Sequence, residues 1–565
     1  MFIILAFVLG QSSGHPVHCA SSIFPAQKLQ AAQSYHKPMY KTDYQPPRVG
    51  EKRILWLWNM SVMPPRQYQT SVTCYGSGNN CYVMVEDSCW QNGIVDSTKV
   101  LRVLERFNHS SPTDPNKGVW QHDTGLFGAP PDEIDHDSLI YILYYNIGEF
   151  HGQQFDGFWM FFDEYYDTTS MRIWGYHSNE IECVYIDCYP HDISTDYRMA
   201  IVAHEFEHMI HWNHDKDEMP WVDEGCAELA MLVYGSPDYI SEFNTNPDND
   251  LTVWRGVWSD YIKVYLWSLY LYEQYGEFRR RGLIKNLVDI EANSIDGVDS
   301  AFIRCGYPER FASVFDDWVV ANYFDDTLGQ QGRYGYYEVT LPPFANSGVH
   351  SSYPVNAAGV VTRWGADYIR FHPPVKANLD LRFDGSDTAN FSVQTVKVDT
   401  AGRTRVVERI ALDTLQNGSR RLFDFGNVYN YAVMVISNHT PIQGGQDYQY
   451  EALHVGVAEP TALNRESEET RLVISPNPTT GRVAINVRVT EPARRVPVDL
   501  VIYDRTGRLV RSLKVPFCRS RPSETRVVYW NGQDEHGRSL PPGCYFIGLS
   551  DIDGMVFNKC VIGEK

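Results

Sequence analysis

His204-Glu205-Phe206-Glu207-His208 constrains this chain more than any other stretch, because its two histidines share a target only on a helix. At about 100° per residue they lie one turn apart on one face, roughly 6 Å apart along the axis. Both imidazoles then reach one metal ion. Glu205 sits beside them, where a carboxylate can take a proton from a polarised water. The flanks also read as helix. Ser194 or Thr195 can cap the start, and Met199, Val202, Phe206 and Met209 recur at three- and four-residue steps, which predicts a buried stripe.

Two histidines leave a zinc ion short of a ligand, since a hydrolytic site uses three protein ligands and keeps one position open. Three candidates follow. His211 shares the face of His204 but stands roughly 10 Å along the axis from it, too far to chelate the same ion. His214 stands ten residues after His204. In the spacing H-E-x-x-H-x-x-G-x-x-H a glycine turns the chain back, and here that position is His211, which takes a left-handed turn at higher cost. Glu224, in Trp221-Val222-Asp223-Glu224-Gly225, is the strongest candidate. Pro220 suits the first turn of a second helix that ends before Gly235-Ser236-Pro237. Glu224 and Glu228 fall one turn apart on it. The first is placed to ligate the ion, and the second to hydrogen-bond the far nitrogen of a ligand histidine.

A chain of 565 residues exceeds one ordinary core, so several domains are expected. The net charge of −21 argues against nucleic acid or an anionic membrane surface as partner. The Arg279-Arg280-Arg281 run reads as a solvated helix end. The acidic stretch Asp132–Asp137 reads as a turn, and no loop spacing supports a structural calcium site. Residues 1–20 begin with the apolar run MFIILAFVLG and read as a signal peptide lacking its usual basic start. No later apolar run is long enough to span a bilayer, so the mature chain is expected to be exported and soluble. Eleven cysteines agree with export. Cys74 and Cys81 flank a turn-rich segment and are expected to bridge a hairpin. Cys183 and Cys188 would lie on opposite faces of a strand, roughly 16 Å apart, too far to pair.

Along the chain, residues 21–135 form a β-rich region or propeptide, with a helix at Thr98–Asn108. Residues 136–345 combine strands (Leu139–Asn146, Phe158–Phe162, Val184–Ile186) with helices at Glu218–Tyr234, Ser259–Tyr275, Phe278–Ala292 and Pro308–Tyr323. Residues 346–456 read as a β-sandwich, 457–470 as a polar linker, and 471–565 as an immunoglobulin-like β-domain. The fold class is multidomain α+β, with the metal-binding helix where a sheet meets a helical lobe.

H-E-x-x-H followed by W-V-D-E-G resembles the gluzincin metallopeptidases, and AHEFEHMIHWNHDKDEMPWVDEGCAELA is similar to secreted bacterial peptidases related to hyicolysin. The resemblance implies a zincin-like catalytic domain and one catalytic zinc ion. It makes Glu205 the general base and Glu224 the third ligand beside His204 and His208. It also implies a downstream oxyanion donor, for which Tyr261, in Tyr261-Ile262-Lys263-Val264, stands first and Tyr265 and His214 compete. No G-A-M-E-N-like run is present, which favours an endopeptidase acting on protein or peptide substrates. The tail, with Ser475-Pro476-Asn477-Pro478 and Val501-Ile502-Tyr503-Asp504, resembles the type A sorting domain of the bacterial type IX secretion system. Cys544 departs from its pattern. That resemblance implies a secreted or cell-surface protein whose tail engages the secretion machinery. Two other readings remain: a surface adhesin or glycan-binding protein with a vestigial metal site, and a metzincin-type peptidase using His214. The intact base weighs against the first, since nothing structural requires Glu205.

Overall fold

The computed structural model describes residues 17–19 and 44–456, apart from 63, 151–152, 277–281 and 401–403. In the tail it describes 471–475, 479, 482–488, 498–504, 508–515, 526–549 and 557–562. The leader (save 17–19), the linker 457–470, Arg279–Arg281 and Pro476–Pro478 lie outside the described residues. The architecture is mixed α+β, in two compact units, Met1–Val457 and Ala458–Lys565.

The first unit is built on a mixed sheet ordered Val17–Cys19, Gln153–Trp159, Cys183–Asp187, Ile140–Tyr145, Cys81–Glu86, Arg66–Ser77, Lys52–Asn59. Its central strands, CVYID and IYILYY, are buried throughout, so they carry continuous apolar runs rather than alternation. Cys81–Glu86 runs parallel to Ile140–Tyr145, with Cys81 opposite Ile140 and Val85 opposite Tyr144. The divide expected at residue 135 therefore passes through one sheet. Helix Ser97–Asn108, expected one residue shorter, is capped by Asp96, whose side chain accepts from the backbone N–H groups of Thr98 and Lys99. The strand expected at Phe158–Phe162 is the end of Gln153–Trp159, followed by a single turn at Phe161–Glu164.

A helical lobe follows. Pro220–Tyr234, Trp258–Gln274 and Phe311–Phe324 lie within three residues of the expected spans. The helix expected at Phe278–Ala292 is described only as Leu283–Val288, and Ser294–Arg304 is a further helix that the pattern did not predict. Cys74 and Cys81 do border a hairpin, but both carry free, buried thiols. An irregularity between Cys74 and Gly76 places Cys74 opposite Met84, away from Cys81. Cys183 and Cys188 are free as well.

The described residues of 348–456 form nine strands whose two halves join at a single pair, Phe425 opposite Tyr429. Between the halves lies a core that includes Phe371, Leu379, Leu381, Phe383, Met434 and Ile436. The opposite face is apolar too: Tyr368, Val396, Val433 and Val435 join the main core of the unit. Asp316, buried on Phe311–Phe324, fastens this face by accepting from Ser392 Oγ at 2.9 Å, Ser437 Oγ at 3.0 Å and Arg409 at 2.7 Å. The region expected as a β-sandwich thus packs one face into the first unit.

The second unit contains a three-stranded sheet (Arg471–Ser475, Val483–Arg488, Arg526–Trp530) and a four-stranded one (Leu509–Val515, Val498–Asp504, Gly543–Leu549, Phe557–Ile562). Their pairings are antiparallel, and one core with Ile485, Leu500, Ile502, Trp530 and Ile547 serves both.

Candidate metal centre

The histidine helix runs Asp196–His214, after a loop that follows the Cys183–Asp187 strand. Thr195 caps it by accepting from the Arg198 backbone N–H at 3.3 Å. Its burial exceeds a stripe: every residue from Arg198 to Trp212 is buried, on all sides of the helix. It therefore lies inside the unit, between the sheet and the lobe. Arg198 forms a buried ion pair with Asp156 on the Gln153–Trp159 strand, which fixes that strand over the helix. Gly157 on the same strand permits the approach, since a Cβ there would come within 3.1 Å of Glu205 Cγ and 3.0 Å of Tyr185 O. Glu205 is thus buried beside this strand.

The glutamate helix, Pro220–Tyr234, opens on Pro220 and ends at Gly235 in a left-handed conformation. It packs against the histidine helix and brings Glu224 to both histidines. Glu224 Oε2 lies 3.5 Å from His204 Nε2 and 3.7 Å from His208 Nε2, and the two Nε2 atoms are 3.2 Å apart. All three side chains are buried. Behind each imidazole stands another carboxylate. Glu228 Oε1 is 3.4 Å from His204 Nδ1, and Asp223 Oδ1 is 3.0 Å from His208 Nδ1. A carboxylate accepts only, so in a metal-binding form the Nδ1 beside it would carry the proton and leave Nε2 to the ion. Partial burial opposes the charge on Asp223, but His208 and its neighbouring imidazoles hold its carboxyl below the usual range.

His204, His208 and Glu224 form one of three buried or partly buried groups, among the described residues, that could hold a metal ion. Two imidazoles and a carboxylate match the donor set of a catalytic zinc site. His214 is in none of the three groups. It ends its helix with Nδ1 2.8 Å from Asp289 Oδ1 and Nε2 3.2 Å from Ala129 O. Tyr261 is buried on Trp258–Gln274, its ring centroid 6.5 Å from that of His204. Gly225 lets that helix come close: a Cβ there would meet Ser268 Oγ at 2.5 Å and Val264 O at 3.0 Å. Tyr265 lies further along the same helix, its hydroxyl pushed far up by burial and then by Glu228.

Sequence reasoning missed Asp223. Its signal was present in W-V-D-E-G, but its role depends on how the two helices cross. A cavity of about 410 Å³ elsewhere in the unit, lined by Asp316, Ser392, Arg409 and His439, shares no residue with this centre.

No protein-family model and no curated protein matches the sequence. Among solved structures, dimeric latent PorU from Porphyromonas gingivalis is similar at 13% identity, over 39% of this chain and 19% of that one, with a TM-score of 0.16. PorZ, a surface component of the type IX secretion system of the same organism, is similar at 17% identity, over 23% and 15% of the two chains, with a TM-score of 0.12. A β-glucuronidase from Bifidobacterium dentium is similar at 10% identity, over 38% and 40%, with a TM-score of 0.14. TM-scores this low establish neither fold nor function.

Proposed function

We propose that this chain is a secreted zinc-dependent endopeptidase of the gluzincin type, with a zincin-like catalytic domain. The observation that carries this reading is the convergence of His204, His208 and Glu224 from two helices, each histidine backed by a carboxylate, with Glu205 buried alongside. A zinc ion held there would supply Lewis acidity, polarising a carbonyl and acidifying water. Glu205 takes the proton of the attacking water and passes it to the leaving amine. The Tyr261 hydroxyl donates to the oxygen on which charge develops. Glu228 and Asp223 fix the tautomer and orientation of the histidines.

The Gln153–Trp159 strand supports an extended substrate. Its outer edge takes Val17–Cys19 as a parallel partner, with Cys19 opposite Gly157. Gly157 is also the residue that abuts Glu205. An added strand at this edge runs past the base, the arrangement that a peptide cut in mid-chain requires. The tail unit is proposed as the export address of a secreted or surface-attached protein; among the described residues no helix is long and apolar enough to cross a membrane.

The deciding experiment compares parent and Glu205→Gln on a quenched fluorescent peptide library, with bound metal measured in parallel. The reading requires Glu205→Gln to keep its metal and lose at least about a hundredfold in cleavage rate. Undiminished cleavage in that variant refutes the mechanism. A parent that binds zinc yet cleaves nothing refutes the peptidase assignment.

A further inference from the structure

Beside the first centre, on the same two helices, lies a second set of donors that peptide hydrolysis does not use. Glu207 and His211 stand four residues apart on the histidine helix, and Cys226 faces them from the glutamate helix. One ligand atom from each lies within 4.8 Å of the others. His211 Nδ1 is 3.2 Å from Glu207 Oε1 and 3.5 Å from Asp223 Oδ1. None of Glu207, His211 and Cys226 exposes more than 1% of its surface.

Carboxyl groups crowd this cluster. Asp123, on the Val119–Leu126 helix packed against the histidine helix, is fully buried. Neither of its carboxylate oxygens has a hydrogen-bond partner among the described residues, and burial first, then Glu207, pushes its carboxyl well above the usual range. Asp123, Glu207 and Asp223 form no ion pair with a lysine or arginine among the described residues. The imidazole of His211 lies close to both Glu207 and Asp223, and that of His208, a ligand residue of the first centre, comes within 4.8 Å of the same two carboxylates. Buried carboxylates without a cation are strongly disfavoured. A divalent ion would remove that penalty, and a thiolate, an imidazole and a carboxylate together select a borderline-soft ion of the zinc class over magnesium or calcium.

We infer that Glu207, His211 and Cys226 hold a second, structural zinc-class ion, with Asp123 and Asp223 beside it, clamping the histidine helix to the glutamate helix. Binding releases the Cys226 thiol proton to solvent and requires a neutral His211. The site is closed by burial, so its role is to fix the crossing of the two helices that brings Glu224 to the histidines. It uses none of the three ligands of the first centre, so the two sites can be tested separately.

The test is metal content and the cobalt spectrum of the full chain. After zinc loading and dialysis against a weak chelator, the parent retains about two equivalents, and Cys226→Ala and Glu224→Ala each retain about one. With cobalt, the parent and Glu224→Ala show a near-ultraviolet thiolate-to-metal charge-transfer band, which Cys226→Ala lacks. If Cys226→Ala does not fold, the parent's stoichiometry and band still decide. One equivalent in the parent without the band overturns the inference and leaves His211 as an imidazolium between Glu207 and Asp223. Two equivalents without the band place the second ion elsewhere and overturn it equally. One equivalent with the band, retained in Glu224→Ala, supports the second site and removes the support for the first.

Discussion

Glu224 and Glu228 stand one turn apart on the same helix, yet they address opposite nitrogens of the same imidazole, so one substitution has two different outcomes. Glu224 Oε2 is 3.5 Å from His204 Nε2, whereas Glu228 Oε1 is 3.4 Å from His204 Nδ1. Glu224→Ala removes a ligand, and the first centre loses its ion. Glu228→Ala leaves the ligand set whole but frees the tautomer and ring angle of His204. Loss of such a partner lowers metal affinity about 10- to 100-fold, or about 1.4 to 2.7 kcal/mol. The 3.4 Å separation is long for an N–H···O bond, which places Glu228→Ala near the tenfold end. Glu228→Gln keeps an acceptor oxygen and should lose less. The assay is competition for zinc against a chromogenic chelator on the full chain, with circular dichroism confirming the fold of each variant. Unchanged affinity in Glu228→Ala refutes the positioning role. Full affinity in Glu224→Ala, with loss in Glu228→Ala, exchanges the two assignments.

Gly225→Ala gains helix propensity of about 1 kcal/mol, but its Cβ would press on Val264 O at 3.0 Å and Ser268 Oγ at 2.5 Å. Overpacking of about 1 to 3 kcal/mol should win, lowering both Tm and activity; a rise in Tm refutes the close-approach argument. Burial, against opposing hydrogen bonds, pushes the carboxyls of Asp163, Asp187 and Glu273 up to about 7, from ordinary values of 3.8, 3.8 and 4.5. The folded state then holds extra protons between about pH 4 and pH 7, so this stability is complete below the unfolded pKa and is lost as pH rises through 7, at up to about 1.4 kcal/mol per group per pH unit. Calorimetry should therefore give a higher Tm near pH 5.5 than near pH 8, and a flat or inverted profile refutes it. Deleting Arg471–Lys565 should trap the chain inside the cell envelope of a host with type IX secretion; normal export of the truncated chain contradicts the tail's proposed role.

The legible parts of this protein are those set by local periodicity. The spacing of His204 and His208 required a helix, and Pro220 and Gly235 bounded the next one, so Glu224 and Glu228 could be placed one turn apart before any tertiary contact was known. Asp223 has the same neighbours in sequence, but its contact with His208 depends on the crossing of two helices, which no local pattern encodes. The same limit hid Cys226 from Glu207 and His211, although the i, i+4 relation of the latter two was visible. The parallel pairing of Cys81–Glu86 with Ile140–Tyr145 was invisible for a related reason, since the two strands are separated in the chain by three helices. The packing of the β-sandwich region had a usable signal. Tyr431-Ala432-Val433-Met434-Val435-Ile436 lacks the alternation of a strand with one wet face, and the strand is indeed covered on both sides, by the sandwich core and by the helical lobe. The run of unbroken apolar residues was therefore evidence that residues 346–456 are packed into their unit. The helix crossing has its own trace in sequence, Gly225, which lets Trp258–Gln274 press Tyr261 toward the histidines. A glycine in mid-helix costs stability, and the close approach it permits is the physical reason for having one directly after the proposed ligand Glu224.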